Sequence, residues 1–349
     1  MEGEQYIMQA AIINKFGTPS EAFSVTEINT PEPREKEVRI KILAAGLNRL
    51  DHYLREGGVN PNIIFPHILG ADAVGIIDKL GKESSKFKVG DRVFPMPGYP
   101  LAEEDYSFST MSAAPSYMIR GVNEWGTYAQ YMVVPEDMLV IDDTGLDAVE
   151  AATLPMPLVT CVRAVKVLGE VKSGDFVLIH GAASGTGSIS VQVAKALGAR
   201  VAGTIRTAAK EEFVKSLGAE VVINVEQDNF VEKIRNWTGG KGADVIIDNL
   251  GGSVFTSSLQ ALKTQGILVS MGMVMGMKAT IDIFPFFFTQ QQIRGSLMGD
   301  MNDFKWGLDQ VKKGKIKPTL DKVFSLDEVV QAHERLEAGE SLGTIVLKP

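Results

Sequence analysis

The stretch from Ile179 to Ser188 reads IHGAASGTGS and lies between the apolar run FVL (176–178) and the run ISVQVAKALGA. Gly181, Ala182, Ala183, Ser184, Gly185, Thr186 and Gly187 carry almost no side chain. A turn of that kind opening a helix exposes backbone N–H groups that a pyrophosphate can approach. The spacing departs from G-x-G-x-x-G, so a tight structural turn is the alternative; what favours a dinucleotide is the alternating block around it. At the end of the next apolar run an acid would accept hydrogen bonds from the ribose hydroxyls of NAD. Here stand Thr204, Ile205, Arg206 and Thr207, with no acid before Glu211. Arg206, with Lys210 one turn on, points to a 2′-phosphate and so to NADP(H); a solvated helix start is the plain alternative for both bases.

The elements that must hold this turn follow from periodicity. Strands are expected at FVLIH (176), RVAGT (200), EVVIN (220), ADVIID (243) and GILVSMG (266), separated by stretches with helical spacing such as SISVQVAKALG and NFVEKIRNW. That alternation reads as an α/β, doubly wound parallel sheet. Gly198 and Gly218 close two of its helices, where a left-handed residue costs least. Before it, the runs EVRIKILAAGL (37–47), AVGIIDKLG (73–81) and YAQYMVV (128–134) are broken by glycine, proline and charge, as in an antiparallel β domain. After about residue 300, two helical stretches flank KVFSL and end in TIVLKP, a piece expected to return to the first domain and leave a cleft between the two. The 97–126 segment has no clear period and reads as a lid or a solvent-facing lobe.

Bulk properties narrow the class. The 349 residues are 45% apolar and 22% charged, an ordinary globular composition. Forty-three acids against 35 bases leave a formal charge of −8, which argues against a nucleic-acid partner. No run approaches the roughly 20 apolar residues of a membrane span. Cys161 is the single cysteine, so no internal disulfide or cysteine cluster forms, in keeping with a cytoplasmic protein. His52, His67, His180 and His333 make no H-x-x-x-H pair.

AAGLNRLDHYLREGG (44–58), PHILGADAVGII (66–77), VGDRVFP (89–95), the GAASGTGS turn and the closing TIVLKP occur in one order. In these the chain resembles a medium-chain dehydrogenase/reductase, and within that superfamily the zinc-free quinone-oxidoreductase and enoyl-reductase branch. The resemblance implies a GroES-like β domain (1–150, completed by about 301–349) and a Rossmann NADP(H)-binding domain (151–300), with homodimers or homotetramers common. Zinc-dependent relatives carry metal ligands where this chain has Asn48, Ala71 and Met156, and a four-cysteine lobe where 97–126 has none, so no metal is expected. Asp51 and Asp72 remain near the vacated place and make a poor zinc site by themselves.

Losing a Lewis acid makes alcohol oxidation hard, whereas a conjugated acceptor needs only hydrogen-bond donors at its carbonyl oxygen. The resemblance supplies two: Tyr53, to donate its hydroxyl or deliver the α proton, and Asn48, to orient the carbonyl or the nicotinamide ribose. It also brings Thr160 to the nicotinamide and places the turns holding Asn249 and Gly251, and Met271 and Gly272, along the same groove. Phe286 to Phe288 and Met298 would line an apolar substrate pocket, although FPFFF suits a core or a dimer interface equally. Arg49, Arg55 and Lys86 would draw the phosphates of a CoA ester unless they are plain surface. The function expected is reduction of a 2,3-unsaturated carbonyl compound, an enoyl-CoA included, by NADPH. Quinone reduction, a zinc-type alcohol dehydrogenase and a non-catalytic NADPH-binding protein are the alternatives.

Overall fold

A computed structural model describes residues 6–349, which divide into two compact units, 6–156 with 318–349 and 157–317. The chain enters the first unit through β1 (Ile7–Ile13) and β2 (Phe23–Asn29), an antiparallel pair that β4 (His67–Ile68) extends. The long strand β3 (Glu37–Gly46) organises the main sheet because alternate residues along it, from Val38 to Ala44, are buried. It pairs with β5 (Val74–Leu80) and with β9 (Tyr131–Pro135), and β6 (Arg92–Pro95) and β10 (Leu139–Ile141) continue the sheet beyond β5. Helix α1 (Arg49–Arg55) leaves the end of β3, with Asn48 at its N-cap and Asp51 three residues in, accepting from the Asn48 backbone N–H at 2.8 Å. The 97–126 segment contributes the short hairpin β7 (Gly98–Pro100) and β8 (Tyr117–Ile119).

In the second unit α2 (Pro155–Val162) precedes β11 (Phe176–Ile179), α3 (Gly185–Ala196), β12 (Arg200–Ile205), α4 (Glu211–Ser216) and β13 (Val221–Asn224). Then come α5 (Phe230–Trp237), β14 (Ala243–Asp248), α6 (Gly252–Ala261), β15 (Leu262–Ser270), α7 (Ile283–Phe288) and β16 (Gln292–Gly295). All six strands are parallel, in the order β13-β12-β11-β14-β15-β16. Leu178, Ala202, Ile223, Ile246 and Leu268 form the centre of its core, which is why these strands read as short unbroken apolar runs. The order runs outward in both directions from β11 and β14, so the carboxyl ends of those two strands flank the switch point where open α/β sheets take ligands.

Strand β16 has no counterpart in the sequence expectation, because QIRG is half polar and lies at a sheet edge where one face and one side remain open to water. Helix α8 (Met301–Lys312) belongs to the second unit, not to the returning piece: Gly307 leaves room for Leu158. Gln192 binds Lys317 through both backbone groups, at 2.8 and 3.0 Å. The aromatic run on α7 is not core, since Phe284, Phe287 and Phe288 are 66%, 58% and 70% exposed.

The first unit is completed by β17 (Leu320–Ser325), α9 (Val329–Ala338) and β18 (Thr344–Lys348), the last pairing antiparallel with β3. Among the described residues no helix is long and apolar enough to cross a membrane.

Candidate functional site

At the switch point the turn is braced from its neighbours. Gly181 has φ +58° and donates its N–H to the Thr204 hydroxyl at 3.0 Å, while Ala182 donates to the Thr204 carbonyl at 2.9 Å. Ser184 is the N-cap of α3, its Oγ accepting from the Gly187 N–H at 3.0 Å, so its hydroxyl is occupied by the helix. The first helical amides have no intrahelical acceptor, and with Gly187 satisfied the N–H groups of Gly185 and Thr186 are left for an anion. A Cβ on Gly187 would lie 2.1 Å from the Gly181 carbonyl oxygen, so the glycine is required where helix and turn cross.

The neighbouring turns interlock with the first. Asp248 closes β14 and accepts from the N–H groups of Leu250 and Gly251 at 2.9 and 3.1 Å, forming the Asn249–Gly251 turn. Met271 donates its N–H to the Asp248 carbonyl at 2.8 Å, and a Cβ on Gly272 would lie 2.3 Å from the Asn249 carbonyl oxygen. The Asn249 amide lies against Gly181, 3.3 Å from where a Cβ would be, and its Oδ1 is buried with no hydrogen-bond partner. A buried acceptor without a donor costs about 1–3 kcal/mol, and a hydroxyl or amide of a bound dinucleotide would satisfy it. The glycine cradle and this orphan acceptor together fit a nicotinamide dinucleotide.

Arg206 follows β12 and is exposed; Lys210, in the next short turn, is half-buried. Thr160 on α2 is buried and donates to the Met298 sulfur at 3.8 Å, so Met298 faces this helix and is 5% exposed.

His180, the residue before the turn, escaped the sequence reading as a working residue. It is fully buried, with Nδ1 3.2 Å from the Thr204 hydroxyl and Nε2 2.8 Å from that of Ser258, which itself donates to the Val254 carbonyl. The pattern sets Nε2–H as donor to Ser258 and leaves Nδ1 to accept from Thr204, a bond that steadies the group holding Gly181. Burial lowers its pKa from 6.5 to about 3. Below about pH 6.5 the unfolded chain therefore takes a proton that the native state refuses, and stability falls as pH drops toward the folded value. Between pH 7.5 and 5.0 this histidine is expected to cost about 2 kcal/mol. Guanidinium melts at the two pH values should show that much less acid sensitivity in His180→Gln; an unchanged difference would mean that His180 takes its proton in the fold.

In the first unit Asn48 is 8% exposed and donates its amide to Asp72 Oδ2 at 2.9 Å, while the Met156 backbone N–H donates to Asp72 Oδ1 at 2.7 Å. Burial pushes the Asp72 carboxyl up to about 8 against the pull of those two donors, with Asp51 adding to the rise. Asp51 is pushed to about 6 by burial, offset by bonds from Asn48, Tyr128 and Gly70. Asn48 is thus tied into a buried carboxyl network, which leaves it less free to meet a substrate than its position in the sequence implied. Where the resemblance puts the zinc ligands of relatives, this chain has Asn48, whose amide donates to Asp72, the fully buried Ala71, and the buried Met156, whose backbone N–H donates to the same carboxyl group. That donor set does not fit zinc.

Tyr53 on α1 is half-buried, and its hydroxyl has no partner among the described residues. Burial raises its pKa, so the proton stays on. Arg55 is not a surface base: it is fully buried, bonded to the Gly17 carbonyl and to Glu337, with His52 Nδ1 at 3.2 Å. Lys86 pairs with Asp137. Neither offers a free charge to a CoA phosphate.

Fold and site define the class: a parallel sheet built to take a dinucleotide at its switch point, on one chain with an antiparallel β unit. Residues 34–142 match the alcohol dehydrogenase GroES-like domain and residues 185–313 the zinc-binding dehydrogenase family. A 2-haloacrylate reductase from Burkholderia sp is 31% identical over 362 residues, covering 98% of this chain and 99% of that one. A quinone oxidoreductase from Sus scrofa is 29% identical over 341 residues, covering 95% and 94%. The crystal structure of an NAD-dependent alcohol dehydrogenase superposes with a TM-score of 0.92 at 34% identity, covering 98% and 100%. The chain belongs to the medium-chain dehydrogenase/reductase superfamily.

Proposed function

We propose that this protein is a zinc-independent, NADPH-dependent reductase of the activated C=C bond in a 2,3-unsaturated carbonyl compound. The reading is supported by the side chains at Asn48, Ala71 and Met156, an amide, a methyl and a thioether that make poor zinc ligands, and by the protonated hydroxyl of Tyr53 on the next helix, which has no partner among the described residues. Gly185, Thr186, Asn249 and Arg206 would hold the pyrophosphate, a ribose or carboxamide group, and the 2′-phosphate. When bound, the reduced nicotinamide supplies a hydride to the β carbon. Tyr53 would donate its O–H to the carbonyl oxygen, where the displaced electron pair gathers, and a proton taken from water at the α carbon would complete the saturated product. The name of the haloacrylate reductase relative supports this reading, since an acrylate is a 2,3-unsaturated acid.

The test is the rate of NADPH oxidation with an unsaturated ketone, crotonyl-CoA and a quinone side by side, with zinc assayed on the same protein. Turnover of an unsaturated carbonyl compound without zinc is expected. Turnover of quinone alone would move the assignment toward the activity named for the pig relative, and stoichiometric zinc with alcohol oxidation would overturn it. Tyr53→Phe is expected to lower kcat about 100-fold and leave the KM for NADPH unchanged; an unaltered kcat would remove Tyr53 from the chemistry. The exposed phenylalanines of α7 near the edge strand β16 support self-association, and light scattering should read at least twice the chain mass. A single-chain mass at micromolar concentration would refute it.

A further inference from the structure

The 97–126 segment takes no part in the proposed reaction, yet it is not a loose lobe. Tyr99 on β7 and Arg120 just after β8 are each only 2% exposed. Arg120 donates to the Tyr99 hydroxyl at 2.7 Å and to the Trp125 carbonyl at 3.4 Å, and its guanidinium carbon sits 5.3 Å from the centre of the Tyr99 ring. Its nearest carboxylate, that of Glu124, is 3.9 Å away and 41% exposed, and its Nε has no partner. A buried guanidinium served by neutral oxygens and one half-solvated acid is short of compensating charge.

This cation borders a cavity of about 560 Å³ whose lining lies entirely in the first unit. Buried Met8, Ile68 and Met132 supply an apolar floor. Trp125, 44% exposed, supplies a wall of indole that nothing large covers. The volume is within the range of small-molecule sites, and the lining mixes this apolar floor and indole with charged side chains. The rim limits the charge of what enters. Glu32, Glu37 and Glu124 line the cavity against Arg34 and Arg120, and Glu32 is paired with Arg39 and Lys79; with acids outnumbering bases, the lining favours a single negative charge beside Arg120 over a polyanion such as a nucleotide or phosphate ester.

We propose that this cavity is a second ligand site, separate from the dinucleotide turn, for an aromatic monocarboxylate whose ring lies against Trp125 and whose carboxylate faces Arg120. The site does not depend on the reaction assigned above. The probe is 2-naphthoate, which has a single carboxylate and no conjugated alkene to accept a hydride, titrated calorimetrically into the full-length protein with and without NADPH. Saturable one-to-one binding is expected, unaffected by NADPH and at least tenfold weaker for the neutral 2-naphthamide and for 2-naphthyl phosphate. Trp125→Ala, at an exposed position, should weaken 2-naphthoate at least tenfold without lowering Tm, and Arg120→Gln should do the same where it folds. No saturable binding, competition with NADPH, equal affinity for the amide, or an unchanged affinity in Trp125→Ala would each overturn the assignment.

Discussion

Gly187→Ala is expected to weaken NADPH binding by at least about 100-fold, equivalent to nearly 3 kcal/mol, in a chain that still folds. The added Cβ would stand 2.1 Å from the Gly181 carbonyl oxygen and 2.9 Å from the Ala182 Cα, contacts made by backbone that cannot rotate away. Helix α3 must therefore slide from the turn, and the open amides of Gly185 and Thr186 lose their common aim. Overpacking of this kind costs roughly 1–3 kcal/mol, so a fall in Tm of several degrees should accompany the loss of binding. NADPH fluorescence enhancement reads the affinity and a circular dichroism melt on the same sample reads the fold. Full affinity in a folded variant would mean that the turn does not carry the phosphates.

Arg206→Ala tests the choice of cofactor. A charged hydrogen bond to a phosphate contributes about 1.5–3 kcal/mol, so the KM for NADPH is expected to rise roughly 10- to 100-fold while that for NADH stays as it was. The prediction rests on an exposed guanidinium just beyond the carboxyl end of β12, where no carboxylate precedes Glu211. Equal effects on both cofactors would remove the 2′-phosphate argument. The outcome decides whether this chain differs in cofactor from the NAD-dependent alcohol dehydrogenase whose structure it resembles.

The parallel sheet and its glycine turn were legible in the sequence because their signals are local. The centres of FVLIH, RVAGT and ADVIID are buried on both faces of the sheet and so read as short apolar runs, and each is punctuated within a few residues by a glycine or an amphipathic helix. The edge strand β16 was not, since only one side of it pairs and its residues obey no simple pattern. Nor was the membership of α8, whose place is set by contacts with Leu158 that lie far back in the chain.

Among the site residues the division is sharper. That Arg206 follows the second strand without an acid, and that positions 48, 71 and 156 lack imidazole and thiolate, are facts of residue identity that no folding could change. What Asn48, Arg55 and His180 do was decided only by the tertiary structure. Asn48 turns its amide to Asp72 from 24 residues away, Arg55 is drawn under Glu337 from 282 away, and His180 is fixed between Thr204 and Ser258. Each is a polar group that burial strips of water, and the cost of leaving it unpaired makes its partner, not its neighbours in sequence, determine where it points.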